Sequence, residues 1–415
     1  MITRPRRGAP AAARGPADRG PADRGPAVRG PAVLGAALLA AGVLAGCGST
    51  VAGHTAPAAP DVHLSLATSA GYPGGNWAVL VMGGSAAEHN NFWQVFVRPG
   101  RADGWKLATP LGVASNGGIA VAGEGGPALA AAIRPSQDLS FSPLASSSDN
   151  GAKWTQSGLL DARLAAGPDA LAAAPGGGLV ALTRTGEVEL RAHPGAAWTR
   201  LASEHAVVAA EDRGCRPAQL TSVAYSPSGV PLVAGACARA GQAGIFRLAG
   251  GRWSAVGPAL PAALARQDVE VLQMASAGRA VAALLVAGRG PATRLLGAWS
   301  NQDGTSWTLS RPYQPGAARP LSAAFAGGSL GVVLSGGRAV SVSGPGATWR
   351  TLPALPAAAS SAPGGGVTLA AAPGGGFQAL SAHGGRLSVW ALSPGGSSWN
   401  RSQVINVSIP YGSSG

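Results

Sequence analysis

Seven tryptophans recur along this chain at intervals of 42 to 55 residues, each just after a short turn: Trp105, Trp154, Trp198, Trp253, Trp307, Trp349 and Trp399. A glycine stands three residues before six of them, and Ala102 holds that position before Trp105. Each repeat also has two or three short apolar runs ahead of its tryptophan. A repeat of this length is one supersecondary unit that cannot bury its apolar faces alone, so the copies must stack on one another.

Residues 169–201 show the unit clearly as DALAAAP, GGGLVALT, EVELRAH and PGAAWTRL, and residues 367–399 repeat it. These four short runs, separated by glycine-rich turns, predict a four-stranded antiparallel meander. About fifty residues per meander favours an all-β fold, a β-propeller of seven four-stranded blades, with six or eight blades as open alternatives. The expected blades are approximately 61–112, 113–162, 163–204, 205–260, 261–313, 314–356 and 357–413.

Two of the turns before tryptophan carry a longer pattern. Residues 147–154 read SSDNGAKW and residues 300–307 read SNQDGTSW, with Gln302 where the first has Asp149. In such a turn the carboxylate accepts backbone N–H groups, the glycine takes a positive φ and the indole packs between sheets. The residues expected to have a structural role in these two turns are Ser147, Asp149, Gly151, Trp154, Ser300, Gly304 and Trp307.

These turns resemble the Asp box (BNR repeat) of sialidase-type propellers. The resemblance implies the propeller fold, with the boxes on the face opposite the ligand site. Sialidases of that family use three arginines, a tyrosine nucleophile paired with glutamate, and an aspartate. Here Ala132-Ile133-Arg134-Pro135 departs from the family's early arginine motif, and Tyr225 has no assignable glutamate. We therefore favour a protein without catalysis, and leave a sialidase-like glycoside hydrolase as the alternative.

The N-terminal part has the features of an export signal. Residues 32–45 form an apolar run of fourteen, preceded by arginines and followed by Gly46 and Cys47. This run is short for a membrane span but suits the apolar part of a signal peptide. Leu44-Ala45-Gly46-Cys47 resembles the lipobox of bacterial lipoproteins, which implies cleavage before Cys47 and a lipid on its thiol. A plain secretory signal is the alternative.

The expected domains are a signal peptide over residues 1–46, a flexible tether over 47–60 and the propeller over 61–413. The chain is then lipid-anchored to the cell membrane of a bacterium, on the extracytoplasmic side. The formal net charge of +13 includes +5 from residues before Cys47, so the mature chain carries +8. Only two lysines occur, and no basic run alternates with aromatics, so nucleic acid is not an expected partner.

Six of the seven turns expected between second and third strands contain or adjoin an arginine: Arg134, Arg184, Arg239, Arg289, Arg338 and Arg386. The first blade has Glu88 and His89 there instead. Guanidinium groups pair bidentately with carboxylates and phosphates, so these turns form a candidate ligand face for an anionic glycan or an envelope protein. The alternative is that they are solvated turn residues that blunt sheet edges.

Cys215 and Cys237 flank two expected strands joined by a turn at Pro227-Ser228-Gly229. Centring the hairpin on that turn brings the two cysteines to similar distances from it, which predicts a cross-strand disulfide in an exported protein. The histidines show no metal-ligand spacing, so neither a metal nor another cofactor is expected.

The leading function is a non-catalytic binding or scaffold module. An assembly factor for a membrane complex is a further alternative, and the oligomeric state is open.

Overall fold

Antiparallel strands make up nearly all of the regular structure in the computed structural model. It describes residues 66–72, 74–83, 91–100, 104–110, 118–134, 139–167, 169–174, 176–203, 207, 215–277, 279–326, 328–356, 367–372, 376–383 and 386–406. All of these belong to one unit, Ala58–Gly415. In the described ranges, no helix is long and apolar enough to cross a lipid bilayer.

The strands follow one another as four-stranded meanders, in which each strand pairs with the next along the chain. The first four meanders contain β1 Leu66–Tyr72, β2 Gly75–Gly83, β3 Asn91–Pro99, β4 Lys106–Leu107; β5 Ile119–Gly125, β6 Ala128–Ile133, β7 Ser142–Ser147, β8 Thr155–Leu160; β9 Leu171–Ala173, β10 Leu179–Leu182, β11 Glu187–Arg191, β12 Trp198–Ser203; β13 Pro217–Tyr225, β14 Pro231–Cys237, β15 Gly244–Ala249 and β16 Arg252–Ala255.

The remaining described strands form three further meanders of the same kind. They are β17 Val269–Ala277, β18 Ala280–Ala287, β19 Arg294–Ser300, β20 Trp307–Leu309; β21 Pro320–Ala326, β22 Ser329–Leu334, β23 Ala339–Val342, β24 Arg350–Thr351; β25 Val367–Ala371, β26 Phe377–His383, β27 Arg386–Leu392 and β28 Asn400–Asn406. Short 3-10 helices occupy Ala262–Leu264 and Gly290–Ala292.

Burial falls from the inner strands of a meander to the outer one. All four residues of β10, Leu179–Leu182, are buried, whereas β28 alternates between exposed and half-buried residues. A strand that is covered on both faces reads as a continuous apolar run, and this is why GGGLVALT lacks the alternation of a half-buried strand. Both faces of β10 are covered because the second and fourth meanders contribute to the same apolar cluster as the third.

Shared apolar clusters join every meander to the next. They join the first to the second, the second through the fourth, the fourth to the fifth, the fifth to the sixth and the sixth to the seventh. A further cluster joins the seventh to the first, where Leu380 and Leu387 pack with Leu80 and Phe96. The meanders therefore close into a ring. The predicted fold class is confirmed: this is an all-β propeller built of four-stranded antiparallel meanders.

The fourth and fifth meanders are joined by backbone pairing as well. Ala236 of β14 pairs with Glu270 of β17, and this pairing merges the two meanders into one eight-stranded sheet. The hydroxyl of Thr221 also donates to the carbonyl oxygen of Val271, at 2.6 Å.

Candidate binding face

Every meander has two ends that differ in what they carry. We call the end with the turns between second and third strands, and with the connections to the next meander, the upper side. The end with the hairpin of the first two strands and the turn before the fourth strand is the lower side. All seven recurring tryptophans lie within one residue of the start of a fourth strand, on the lower side.

The turn at 147–154 on the lower side uses its polar groups internally. The backbone N–H of Lys153 donates to Oδ1 of Asp149 at 2.9 Å, and the hydroxyl of Ser147 donates to the same oxygen at 2.8 Å. These two bonds hold the pKa of Asp149 below its usual value. Asn150 and Gly151 both have positive φ, 57° and 77°, as the reversal of the chain requires.

The turn at 300–307 is held by a different residue from the one at the aspartate position. Oδ1 of Asn301 accepts the backbone N–H groups of Thr305 at 2.9 Å and Ser306 at 3.2 Å. No hydrogen bond of Gln302 is found in the described part of the chain. The acceptor has therefore moved one residue earlier, because an asparagine side chain is short enough to close the turn on its own.

Four of the tryptophans bond across a seam to the preceding meander. Their indole N–H groups donate from Trp105 to Oε1 of Gln378, and from Trp154, Trp349 and Trp399 to the carbonyl oxygens of Ala108, Arg311 and Pro353, at 2.7, 2.7, 2.9 and 3.0 Å respectively. The buried indole N–H groups of Trp253 and Trp307 have no partner within the described residues. The lower side thus serves to hold neighbouring meanders together.

The six predicted arginines all lie at the upper side, but Arg134 does not face solvent. It is buried, and its guanidinium donates to the carbonyl oxygens of Ala165 and Gly167 in the connection to the third meander. Burial lowers its pKa to about 10. Arg134 therefore does not belong to the candidate ligand face, because its guanidinium N–H groups donate to carbonyl oxygens inside the protein.

Two further arginines are exposed and have partners. Nη2 of Arg338 donates to the carbonyl oxygen of Pro315 at 2.6 Å. Nη2 of Arg289 lies 3.3 Å from Oδ2 of Asp268, with both side chains largely in water. A pair so exposed contributes little to stability and can exchange partners.

Arg184, Arg239 and Arg386 are exposed. No hydrogen bond or ion pair of their side chains is found among the described residues. They remain the arginines of the predicted face that can meet a ligand. Glu88, His89 and Cys47, the predicted lipid-attachment residue, lie outside the described residues.

A disulfide joins Cys215 to Cys237, with their α-carbons 5.4 Å apart. Cys215 lies just before β13, Cys237 ends β14, and the pairing of Pro217 with Cys237 places the bond at the upper end of this hairpin. The predicted cross-strand bridge is confirmed.

Tyr225 ends β13 at the lower side, and it is 4% exposed. Burial raises the pKa of its hydroxyl, and in the described chain no carboxylate lies within hydrogen-bonding distance of it. A tyrosine nucleophile needs a base beside it and access for substrate. This position offers neither.

Two acidic residues, the buried Asp169 and the half-buried Glu124, stand out that the sequence pattern did not single out. Asp169, between the second and third meanders, accepts the backbone N–H of Met274 at 3.2 Å, and burial raises its pKa to about 7. Oε1 of Glu124 lies 3.8 Å from Nη2 of Arg191 across the seam of the second and third meanders. Burial raises the pKa of Glu124, and Arg191 opposes that shift. Among the described residues no group of three metal-binding side chains occurs.

Several solved structures are similar to this chain. YCF48 from Cyanidioschyzon merolae is 14% identical over 78% of this chain and 94% of that one, with a TM-score of 0.44. The Cps50 (Swd1) β-propeller domain from Myceliophteria thermophila is 14% identical over 80% and 96%, with a TM-score of 0.48. A protein from Lactobacillus plantarum is 10% identical over 78% and 93%, with a TM-score of 0.48.

Likeness at this level bears on the fold alone and carries no argument about function. No protein-family model and no curated protein matches the sequence.

Proposed function

We propose that this protein is a lipid-anchored, extracytoplasmic propeller of seven blades that binds an anionic component of the cell envelope without catalysis. The observation that carries the proposal is the set of exposed arginines at equivalent upper turns, Arg184, Arg239 and Arg386, whose guanidinium groups have no protein partner in the described part of the chain. A guanidinium in water is available to carboxylates and phosphates.

The proposed anchor depends on the sequence around Cys47, where an apolar run of fourteen residues precedes a lipobox-like tetrapeptide. A protein with two or more acyl chains stays on a membrane durably. We expect the Cys47→Ser variant to lose lipid labelling and to leave the membrane fraction. Equal membrane retention and equal labelling of both proteins would overturn the anchor.

The binding role is tested with mature protein extracted in detergent and presented with polyphosphate, polygalacturonate and isolated envelope polymers. We expect binding to at least one of them that weakens as salt is raised, because the contacts are charged and exposed. No binding to any of the three at low ionic strength would overturn the proposal. A fluorogenic sialoside assay tests the hydrolase alternative, for which turnover abolished by Tyr225→Phe would be the signature.

A further inference from the structure

One upper turn, residues 238–243 between β14 and β15, is held on several sides. The backbone N–H of Ala238 donates to the carbonyl oxygen of Arg216, and that of Gly241 donates to the carbonyl oxygen of Gln267, both at 2.8 Å. Leu260 donates in turn to the carbonyl oxygen of Gly241 at 2.8 Å. The turn is therefore attached both to the residue just before β13 and to the connection that leads into the fifth meander.

A disulfide and a close backbone approach strengthen this attachment. The disulfide joins Cys237, which precedes the turn, to Cys215, which precedes Arg216. Gly241 has φ of 74°, and a Cβ at this position would clash with the carbonyl oxygen of Ala265. The turn thus lies directly against residues 265–267, in a position that only glycine allows.

Three arginines are attached to this one framework. Arg216 and Arg239 lie on the two sides of the disulfide-bonded hairpin end, and Arg266 lies between the two residues that Gly241 contacts. All three are exposed. Among the described residues none of their side chains has a hydrogen-bond or ion-pair partner. Arg216 and Arg266 were not apparent from the turn pattern, because they belong to connections between meanders.

The acidic neighbours that the structure describes are fewer than the arginines of this group. Asp268 is paired with Arg289, which adds a fourth guanidinium nearby, and Glu270 is the other exposed acid among the described residues of this part of the chain. Counted over the described residues, four arginines against two acids leave a net positive charge on this part of the upper side. Rigid cationic groups bind anions with less loss of conformational entropy than mobile ones do.

We propose that Arg216, Arg239 and Arg266 form a phosphate-binding site for a soluble, phosphate-bearing polymer. This inference rests on the proposed binding role and names its site and ligand chemistry. A carboxylate is planar and is satisfied by one or two guanidinium groups, whereas a tetrahedral phosphate presents acceptor oxygens in several directions and suits three. A polymer supplies further phosphates for Arg289 and for the other upper turns.

The surroundings of the site favour a polymer over the headgroups of a bilayer. Interfacial membrane binding combines cationic side chains with large apolar ones that enter the acyl boundary. The exposed large apolar side chains of the described residues are Leu107, Leu139, Leu159, Leu321 and Val404. None of them belongs to the fourth or fifth meander.

The test compares full-length mature protein with two triple variants. The site variant is Arg216→Gln, Arg239→Gln, Arg266→Gln. The control variant, Lys153→Gln, Arg252→Gln, Arg279→Gln, removes the same charge from exposed lower-side residues. Affinity is measured for medium-chain inorganic polyphosphate, for polygalacturonate and for vesicles containing anionic phospholipid. We expect the site variant to bind polyphosphate about tenfold more weakly than wild type or worse, and the control to bind within about twofold of it.

Equal weakening of both variants would overturn the site, because binding would then follow net charge alone. Binding to vesicles or polygalacturonate in preference to polyphosphate would overturn the ligand chemistry. Wild-type protein that ignores polyphosphate but still binds envelope polymers would sink this inference and leave the proposed binding role standing. Failure to bind any probe or envelope polymer would sink both.

Discussion

The lower and upper sides of this propeller use their polar groups in opposite ways. On the lower side, Asp149 and Asn301 close their own turns, and the indole of Trp154 bonds to the neighbouring meander. On the upper side, Arg184 and Arg386 extend into water, with no side-chain partner in the described chain. The groups that recur in the sequence are therefore the ones that hold the fold together. The groups that can meet a ligand are those whose positions recur only loosely.

The difference has a practical consequence for reading such chains. Packing requires a tryptophan in all seven repeats, and backbone geometry favours a glycine three residues before it in six of them, so the two residues together identify the fold. An arginine in an exposed turn is not required by the fold, so its identity reports on something outside it. Substitutions should accordingly change stability on the lower side and binding on the upper side.

The largest expected effect concerns Trp105, whose indole closes the seam between the seventh and first meanders. It is 2% exposed and bonds to Gln378, whereas Trp198 occupies the equivalent position half-buried. We expect Trp105→Ala to lower the free energy of unfolding by about 4 kcal/mol, and Trp198→Ala by about 2 kcal/mol. Urea unfolding followed by circular dichroism measures both. Equal losses of stability in the two variants would contradict the comparison. They would mean that the buried indole N–H of Trp105 adds nothing to the closure of the seam.

The disulfide is an exception to this division, because it lies on the upper side and is expected to contribute to stability. It closes a sequence separation of 22 residues. Loop-closure entropy predicts that Cys215→Ser with Cys237→Ser lowers the free energy of unfolding by about 3 kcal/mol. Urea unfolding of wild type with and without reductant provides the matched measurement, since reduced wild type should behave like the variant. A variant as stable as the oxidised protein would show that the bridge adds no constraint.

Asp169 is a buried polar group near the upper side, and it should give stability a distinctive pH dependence. Its folded pKa of about 7 lies above the ordinary value of 3.8. The folded protein thus holds the proton more tightly than the unfolded chain does. The stabilisation is complete below pH 4, and it is lost as pH rises through 7.

Asp169→Asn should remove this slope and stabilise the protein at pH 8 by on the order of 2 kcal/mol relative to wild type. Melting temperatures between pH 4 and pH 8 measure it. Parallel pH profiles for the two proteins would mean that Asp169 ionises freely in the folded state.

The smallest expected effect separates the two classes of tryptophan. Replacing Trp154 by Phe leaves the carbonyl of Ala108 without its donor, whereas the indole N–H of Trp253 has no acceptor among the described residues to lose. Both changes reduce side-chain volume similarly. Trp154→Phe should therefore cost about 1 kcal/mol more than Trp253→Phe in urea unfolding. An equal cost would indicate that packing alone, and not the hydrogen bond across the seam, sets the role of these residues.

Much of the fold could be predicted because its determinants are local. Hairpin turns, apolar runs and the cysteines around Pro227-Ser228-Gly229 are all read within a few residues of sequence. The same local patterns of runs and turns predict that the arginines lie in the turns between second and third strands.

The candidate site could be predicted only in part, because side-chain direction depends on contacts between meanders. Arg134 turns inward where Gly118 leaves room, since a Cβ at position 118 would lie 3.1 Å from its Nη1. Arg216 accepts a backbone hydrogen bond from Ala238 of the turn at 238–243, and Gln267, next to Arg266, accepts one from Gly241. No local sequence pattern predicts these bonds. Asp169 is buried by the fourth and fifth meanders, far along the chain.

The central claim is that the upper side binds the ligand and the lower side stabilises the fold. Mass-spectrometric footprinting tests it most directly, with an arginine-selective dicarbonyl reagent applied in the presence and absence of polyphosphate. The account predicts that polyphosphate protects Arg216, Arg239 and Arg266 from modification and leaves Arg252 and Arg279 on the lower side fully reactive. Protection of the lower-side arginines to the same extent, or no protection at the upper three, would contradict it.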